Sequence, residues 1–336
     1  MSRPRQLRAA LIGLGAMGRN HARVINALDG VGLVGVLDPV ATTGAPHDVP
    51  ILPDLDRLLE TRPDYAVVAC PTAMHEEVGL RLAEAGVHAL IEKPLAPSAE
   101  AGQRLVDAFE SRGLIGAVGH IERYNPSLQS LRSRLEAGEL GDVYQVVTRR
   151  QGPFPGRISD VGVVMDLATH DIDLTAWVTG REYADVAART VSRSGRPHED
   201  MVSVVAALDG GIVANHLVNW LSPMKERSTV ITGERGCFVA DTLTADLTFY
   251  ANAAVGTEWE ALRAFRGVAE GDMIRYAIAK REPLLVEHER FRDAVAGESA
   301  DIVTLRQGLR TVEVAAAVIE SARSGAVVPC GLSRVG

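Results

Sequence analysis

The chain has 336 residues, 46% of them hydrophobic and 23% charged, with a formal net charge of −8. That length suits two domains, each able to bury its own core, and the balance is that of a soluble globular protein. An acidic surplus, with no basic run and no aromatic–basic interleaving, excludes a general nucleic-acid binder.

The predicted elements open with a strand over Arg8–Ile12, a helix over Met17–Leu28 and a strand over Val31–Leu37. A helix over Asp54–Glu60, a strand over Tyr65–Ala69 and a helix over His75–Ala85 follow. Next come a strand over Val87–Ile91, a helix over Ser98–Ser111 and a strand over Leu114–Val118. Such alternation predicts a parallel sheet covered on both faces. The crossover between Asp38 and Asp54 is short and holds four prolines, so it lacks a full helix.

From about Gly141 the pattern changes. Strands are predicted over Tyr144–Arg150, Asp185–Ser192, Met201–Leu208, Ile212–Trp220, Ser228–Thr232 and Cys237–Asp241. Asp209-Gly210-Gly211 is a hairpin signal between two of them. One helix, Val163–Val178, interrupts the series, and two more (Glu287–Ala296, Leu305–Ser324) close it. The expected fold class is therefore α/β, with a doubly wound N-terminal domain over 1–121. A C-terminal α+β domain with an open, mainly antiparallel sheet is expected over 122–336.

No run of about 18 apolar residues occurs, so no membrane span is expected. The basic-then-apolar start looks like a signal peptide, but its apolar part carries the first strand and glycine loop, which cleavage would destroy. Cys70, Cys237 and Cys330 are scattered without a C-x-x-C, so neither disulfides nor a zinc site is expected, and the compartment is read as reducing and cytoplasmic.

Between the first strand and first helix stands Gly13-Leu14-Gly15-Ala16-Met17-Gly18. This is a G-x-G-x-x-G string in the context that gives it meaning, with an acid, Asp38, about 20 residues on. Gly13 permits a tight turn, Gly15 lets a pyrophosphate approach the backbone, and Gly18 lets helix and strand pack closely. The helix N-terminus, with Ala16 and Met17, would hold the phosphates. Asp38 can accept from the adenosine ribose hydroxyls and would repel a 2′-phosphate, so NAD is expected rather than NADP. Pro71, Thr72 and His75 follow another strand end and are candidates to line the cofactor groove.

Glu92-Lys93-Pro94 also follows a strand, and ligands of open parallel sheets bind at that end. A lysine there can stabilise charge developing on a substrate oxygen. Asp166, His170 and Asp173 share a helical face at i, i+4 and i+7. A carboxylate beside an imidazole is suited to moving a hydroxyl proton. Metal binding is the competing use of that pair, but no further ligand cluster completes a site. Arg123, Tyr124 and Asn125, and the run Arg149, Arg150 and Arg157, are candidates for substrate binding, since arginine forks suit phosphate oxygens.

Taken together, the glycine string, Glu92-Lys93-Pro94 and Asp166-x-x-x-His170-Asp171 resemble the Gfo/Idh/MocA oxidoreductases in order and approximate spacing. The resemblance implies an N-terminal Rossmann domain and a C-terminal sheet that often forms an oligomer interface, hence a homodimer or homotetramer. It also implies sugar, inositol or similar polyol substrates, with Lys93, Asp166 and His170 around the reacting carbon and a cis bond before Pro94. A narrower resemblance rests on GHIERYNP (119–126) and RRQGPFPGRISDVGVVMDLATHDIDL (149–174), which look like the branch of UDP-N-acetylglucosamine 3-dehydrogenases. Other reactions fit the same scaffold. They are an inositol or simple-sugar dehydrogenase, a deoxysugar 3-ketoreductase, an NAD-dependent glycosidase, and a non-catalytic NAD sensor. The expectation common to the enzymatic readings is that the E-K-P turn and the acid–imidazole helix serve one reacting group.

Overall fold

The computed structural model describes residues 6–41, 45, 49–156, 161–252 and 270–330. Two compact units emerge: Met1–Ile121 with Glu282–Glu313, and Glu122–Arg281 with Val314–Gly336.

The first unit runs β1 (Leu7–Ile12), α1 (Ala16–Ala27), β2 (Val31–Leu37), β3 (Ile51–Leu52), α2 (Leu55–Glu60), β4 (Tyr65–Val68), α3 (His75–Glu84), β5 (His88–Glu92), α4 (Ala99–Glu110) and β6 (Gly116–Gly119). Its strands form one sheet in the order β3-β2-β1-β4-β5-β6, every pairing parallel. All four residues of β4 are buried, as are the last four of β1. A strand covered on both faces reads as a continuous apolar run, which is why these were legible. Asp54 and Ser98 cap α2 and α4 by accepting the backbone N–H groups of Arg57 and Ala101. The short β3 fills the crossover in which no full helix was expected.

Residues 282–313, expected with the second domain, are grouped with the first unit. The helix Pro283–Val295 buries Phe291 in the same core as Ala9, Leu11, Val67 and Leu90. The Phe291 ring meets Tyr65 edge-on at 5.3 Å. The Val118 amide then donates to Val303 O at 2.8 Å.

In the second unit come α5 (Pro126–Glu136), β7 (Val143–Pro153), and a wide turn, Val164–Ala168, running into α6 (Thr169–Thr179). They are followed by β8 (Tyr183–Val191), β9 (Met201–Leu208), β10 (Ile212–Asn219), β11 (Leu221–Gly233), β12 (Gly236–Asp241), β13 (Asp246–Asn252), β14 (Glu270–Arg275) and β15 (Val328–Pro329). Among the described residues these make one sheet, β14-β13-β12-β11-β7-β10-β9-β8-β15. Only β7 and β10 pair in parallel. Gly210 and Gly211 turn from β9 into β10 with φ of 84° and 78°, the left-handed pair that a tight hairpin requires. Leu128 and Leu131 of α5 and Ile172 and Leu174 of α6 share a core with Val146, Val204, Ala214 and Phe238 of the sheet.

Candidate active site

The carboxyl end of the first sheet gathers the glycine loop, the loop after β4, the E-K-P turn after β5 and Asp38 after β2. The strand order reverses between β1 and β4, where open α/β sheets bind ligands. Gly13 has φ of +95°, and a Cβ there would stand 2.5 Å from Ala69 O. A Cβ on Gly18 would lie 2.0 Å from Gly13 O, so helix and loop touch with no room for a methyl. At Gly15 nothing lies within 4 Å of the same position. That glycine keeps space open where the other two fill it. Gly15 is the N-cap of α1, with no side-chain hydrogen bond and no acid in the first turn. The exposed backbone at Gly15 and Ala16, beside half-buried Met17, is a cradle suited to an anion. These residues fit the dinucleotide pyrophosphate.

The Asp38 carboxylate ties this loop down. Oδ2 accepts the Leu14 amide at 2.6 Å, and Oδ1 accepts the Val40 and Ala41 amides at 2.9 and 2.8 Å. Against the opposing cost of burial, these three bonds and the Arg19 charge hold its pKa below the usual carboxylate range. A carboxylate has about four lone-pair sites, so Asp38 retains acceptor capacity for a ribose hydroxyl.

Pro71 is exposed and Thr72 half-buried, at the strand end as expected. His75 differs. It is 1% exposed, with Nδ1 3.0 Å from Pro94 O and Nε2 3.0 Å from Cys70 O. It therefore braces the E-K-P turn from behind instead of lining a groove. Lys93 is half-buried, Glu92 lies almost wholly inside, and the Lys93–Pro94 peptide is cis.

In the second unit the crowded helix divides by role. The Arg150 guanidinium donates from Nε to Asp171 Oδ1 at 2.9 Å and from Nη1 to Glu122 Oε1 at 2.8 Å. Burial pushes the Asp171 carboxyl up, against the pull of the Arg150 charge. Arg123 forks onto Asp173, Nε to Oδ2 at 2.8 Å and Nη2 to Oδ1 at 2.6 Å. Both arginines are almost fully buried. The expected gripping of a diphosphate by Arg123 and Arg150 is thus not what their side chains do. Their forks already face carboxylates inside the unit. Asn125 is likewise structural, accepting from Ser127 N to cap α5 and donating to Thr242 O. Tyr124 is buried. Arg149 is exposed, with Glu226 3.8 Å away, and Arg157 lies outside the described residues.

Asp166 sits in the wide turn and is 6% exposed, while His170 is half-buried. Thr169 N donates back to Val164 O, a five-residue span that inserts one residue into the helix. Relative to an unbroken helix, everything after the insertion rotates by about 100°. Asp173 therefore leaves the face it was expected to share with Asp166 and turns to Arg123.

Among the described residues no group of three or more His, Cys, Asp or Glu is arranged to hold a metal ion. No described helix is long and apolar enough to cross a membrane. The groups not anticipated are His21, Glu287 and His288, all buried in the first unit. His21 falls on the stripe Gly18, His21, Ala22, Ile25, whose helical spacing marked it as inward-facing.

Two family models match. Residues 7–120 match an oxidoreductase family with an NAD-binding Rossmann fold, and residues 128–239 match the GFO/IDH/MocA C-terminal domain. A UDP-N-acetylglucosamine 3-dehydrogenase from Acidithiobacillus ferrooxidans is 33% identical, over 86% of this chain and 89% of its own. Its solved structure superposes with a TM-score of 0.81, covering 95% of this chain and 98% of that one. A scyllo-inositol 2-dehydrogenase (NAD(+)) from Bacillus subtilis is 26% identical over 98% of both chains. The WlbA dehydrogenase from Bordetella pertussis, solved with NADH and UDP-GlcNAcA, shares the fold at 24% identity and a TM-score of 0.82, covering 98% of this chain and 99% of that one.

Proposed function

The chain belongs to the Gfo/Idh/MocA oxidoreductase family, and we propose that it is an NAD-dependent dehydrogenase of a ring secondary hydroxyl, C3 of a nucleotide sugar such as UDP-N-acetylglucosamine. What carries the substrate reading is the 33% identity to a UDP-N-acetylglucosamine 3-dehydrogenase over most of both chains. Bound NAD supplies the hydride acceptor.

The residues divide the remaining work. Gly15, Ala16 and Met17 cradle the pyrophosphate, and Asp38 accepts from the ribose. Lys93 stabilises the charge that grows on the substrate oxygen as its carbon is oxidised. His170 takes the hydroxyl proton, and Asp166 orients that imidazole or the sugar. Asp171 and Asp173 are excluded from this chemistry by their arginines. Exposed Arg149, together with Arg157, remains to meet a diphosphate. A homodimer or homotetramer is the assembly this reading carries.

One observation favours a second reading. With Arg123 and Arg150 turned inward, fewer cations are available for a diphosphate, which suits an unphosphorylated polyol such as inositol. Purified protein with NAD, tested on a panel of nucleotide sugars, inositols and free sugars, separates the two by NADH absorbance. NADH formed with UDP-N-acetylglucosamine supports the first reading. Turnover confined to inositols replaces it with the second, and no turnover on any hydroxyl refutes both.

A further inference from the structure

Lys93 stands between two residues that buried histidines hold from different helices. On one side, His21 of α1 has no exposed surface. Its Nε2 lies 2.9 Å from Glu92 Oε1, and its Nδ1 lies 2.8 Å from Nε2 of His288. The other Glu92 oxygen accepts the Lys93 amide at 3.1 Å. Space for this carboxyl is made by Gly119, where a Cβ would stand 3.0 Å from both Cδ and Oε1 of Glu92. On the other side, His75 of α3 has Nδ1 3.0 Å from Pro94 O and Nε2 3.0 Å from Cys70 O. Burial lowers its pKa, and a neutral ring has one N–H, which on Nδ1 donates to the Pro94 carbonyl.

The proton inventory follows from what each group can do. Burial opposes ionisation of Glu92, but the bond and charge of His21, with Lys93 and its amide, keep its pKa below the usual range. An ionised carboxylate only accepts, so His21 Nε2 carries hydrogen. His21 Nδ1 and His288 Nε2 then share one further hydrogen, and burial holds the His288 ring neutral. Burial, and the nearby Glu92 charge, push the Glu287 carboxyl well up.

Burying polar groups that apolar side chains could replace is unfavourable unless every bond is made. What this arrangement gains is one fixed geometry for three consecutive residues. We propose that His21 and His75 are positioning residues for the Lys93 ammonium, His21 by clamping Glu92 through a buried run that ends at His288, and His75 by fixing the Pro94 carbonyl. The proposal deepens the reading of Lys93 as the group that stabilises the substrate oxygen, and it rests on that reading.

The test exploits a compositional fact: Lys93, Lys225 and Lys280 are the chain's lysines. Reductive methylation with carbon-13 formaldehyde therefore labels these side chains and the N-terminal amine, and Lys93→Arg assigns the signal that matters. In His21→Leu and in His75→Leu the Lys93 methyl signal should move and broaden, while those of Lys225 and Lys280 stay put. Turnover should fall by about 10- to 100-fold, the loss typical of a displaced catalytic group, with KM for NAD changed less than about twofold. His21→Gln, whose amide nitrogen can still reach Glu92, should recover most of both readouts. Should His21→Leu fail to fold, His21→Leu with Glu92→Gln removes the orphaned charge and takes its place. A Lys93 signal unmoved in folded variants of both histidines overturns the proposal. So does failure of His21→Gln to recover either readout. If the parent protein turns over nothing in the panel, only the substrate reading falls, because the labelled-lysine arm still decides this one.

Discussion

Replacing Gly15 by alanine adds a methyl group to a space with no atom within 4 Å, at a negative φ of −64°. Restricting the unfolded chain should add about 0.4–1 kcal/mol, offset by the poorer N-cap that alanine makes than glycine. The same change at Gly18 forces a carbon to 2.0 Å from Gly13 O, a backbone atom that cannot swing away. Loop and helix must separate, at a cost of about 1–3 kcal/mol. Cofactor binding should show the reverse emphasis. A methyl at Gly15 stands where the pyrophosphate approaches the first amides of α1, and each charge-assisted bond lost is worth about 1.5–3 kcal/mol. One such loss weakens NAD by about 10- to 100-fold. Thermal melting without ligand, beside NADH titration followed by fluorescence, reads both axes. The expected pattern is Gly15→Ala with a Tm near the parent's and weak NADH binding, and Gly18→Ala with a lowered Tm. Gly15→Ala binding NADH as tightly as the parent would refute the cradle, whatever its Tm.

Lys93→Ala should cut kcat by roughly 10²-fold or more with NADH affinity nearly intact; full turnover would remove Lys93 from the chemistry. Arg150→Met leaves buried Asp171 and half-buried Glu122 without their cation, and should destabilise the protein by about 3–5 kcal/mol in urea unfolding. Adding Asp171→Leu should restore part of that loss, whereas no recovery would show that the charge is not its cause. Asp38→Ala releases three backbone amides, so Tm and NADH affinity should fall together, and a fall in affinity alone would limit Asp38 to the ribose. His216, fully enclosed and bonded to Thr148 and Tyr183, has its pKa pushed down by burial to about 4. The unfolded ring binds its proton first, so stability is complete above about pH 6.5 and is lost as pH falls towards 4, by roughly 3 kcal/mol. His216→Gln should flatten that slope, and an equal slope in both proteins would contradict the assignment.

The features legible in the sequence are those whose physics is local. A glycine that must clear a backbone oxygen leaves its mark at Gly13 and Gly18, and a strand buried on both faces is apolar throughout, as in β1 and β4. The helix α5 was equally local yet absent from the predicted elements: Asn125-Pro126 is a cap followed by a favoured first-turn residue. β13 and β14 lie at one end of the sheet, where a single covered face gives a weaker apolar signal. Residues 282–313 were read with the second domain and group with the first unit, because an amphipathic helix shows that it has an apolar face without showing which core receives it.

The structure gives several of the candidate site residues other partners than their spacing suggested, and the reason is one inserted residue. Spacing placed Asp166, His170 and Asp173 on one face and set Arg123 and Arg150 aside for substrate. The wide turn at Val164–Ala168 breaks that arithmetic, sending Asp171 and Asp173 to the two arginines. No periodicity rule reveals such a turn, because what stabilises it is the pairing it permits. An unbroken helix would turn the two buried carboxylates of Asp171 and Asp173 away from their guanidiniums, a penalty of several kcal/mol per ion. Charge pairing across the unit thus fixes the helix register and takes Asp171 and Asp173 out of the proposed proton transfer.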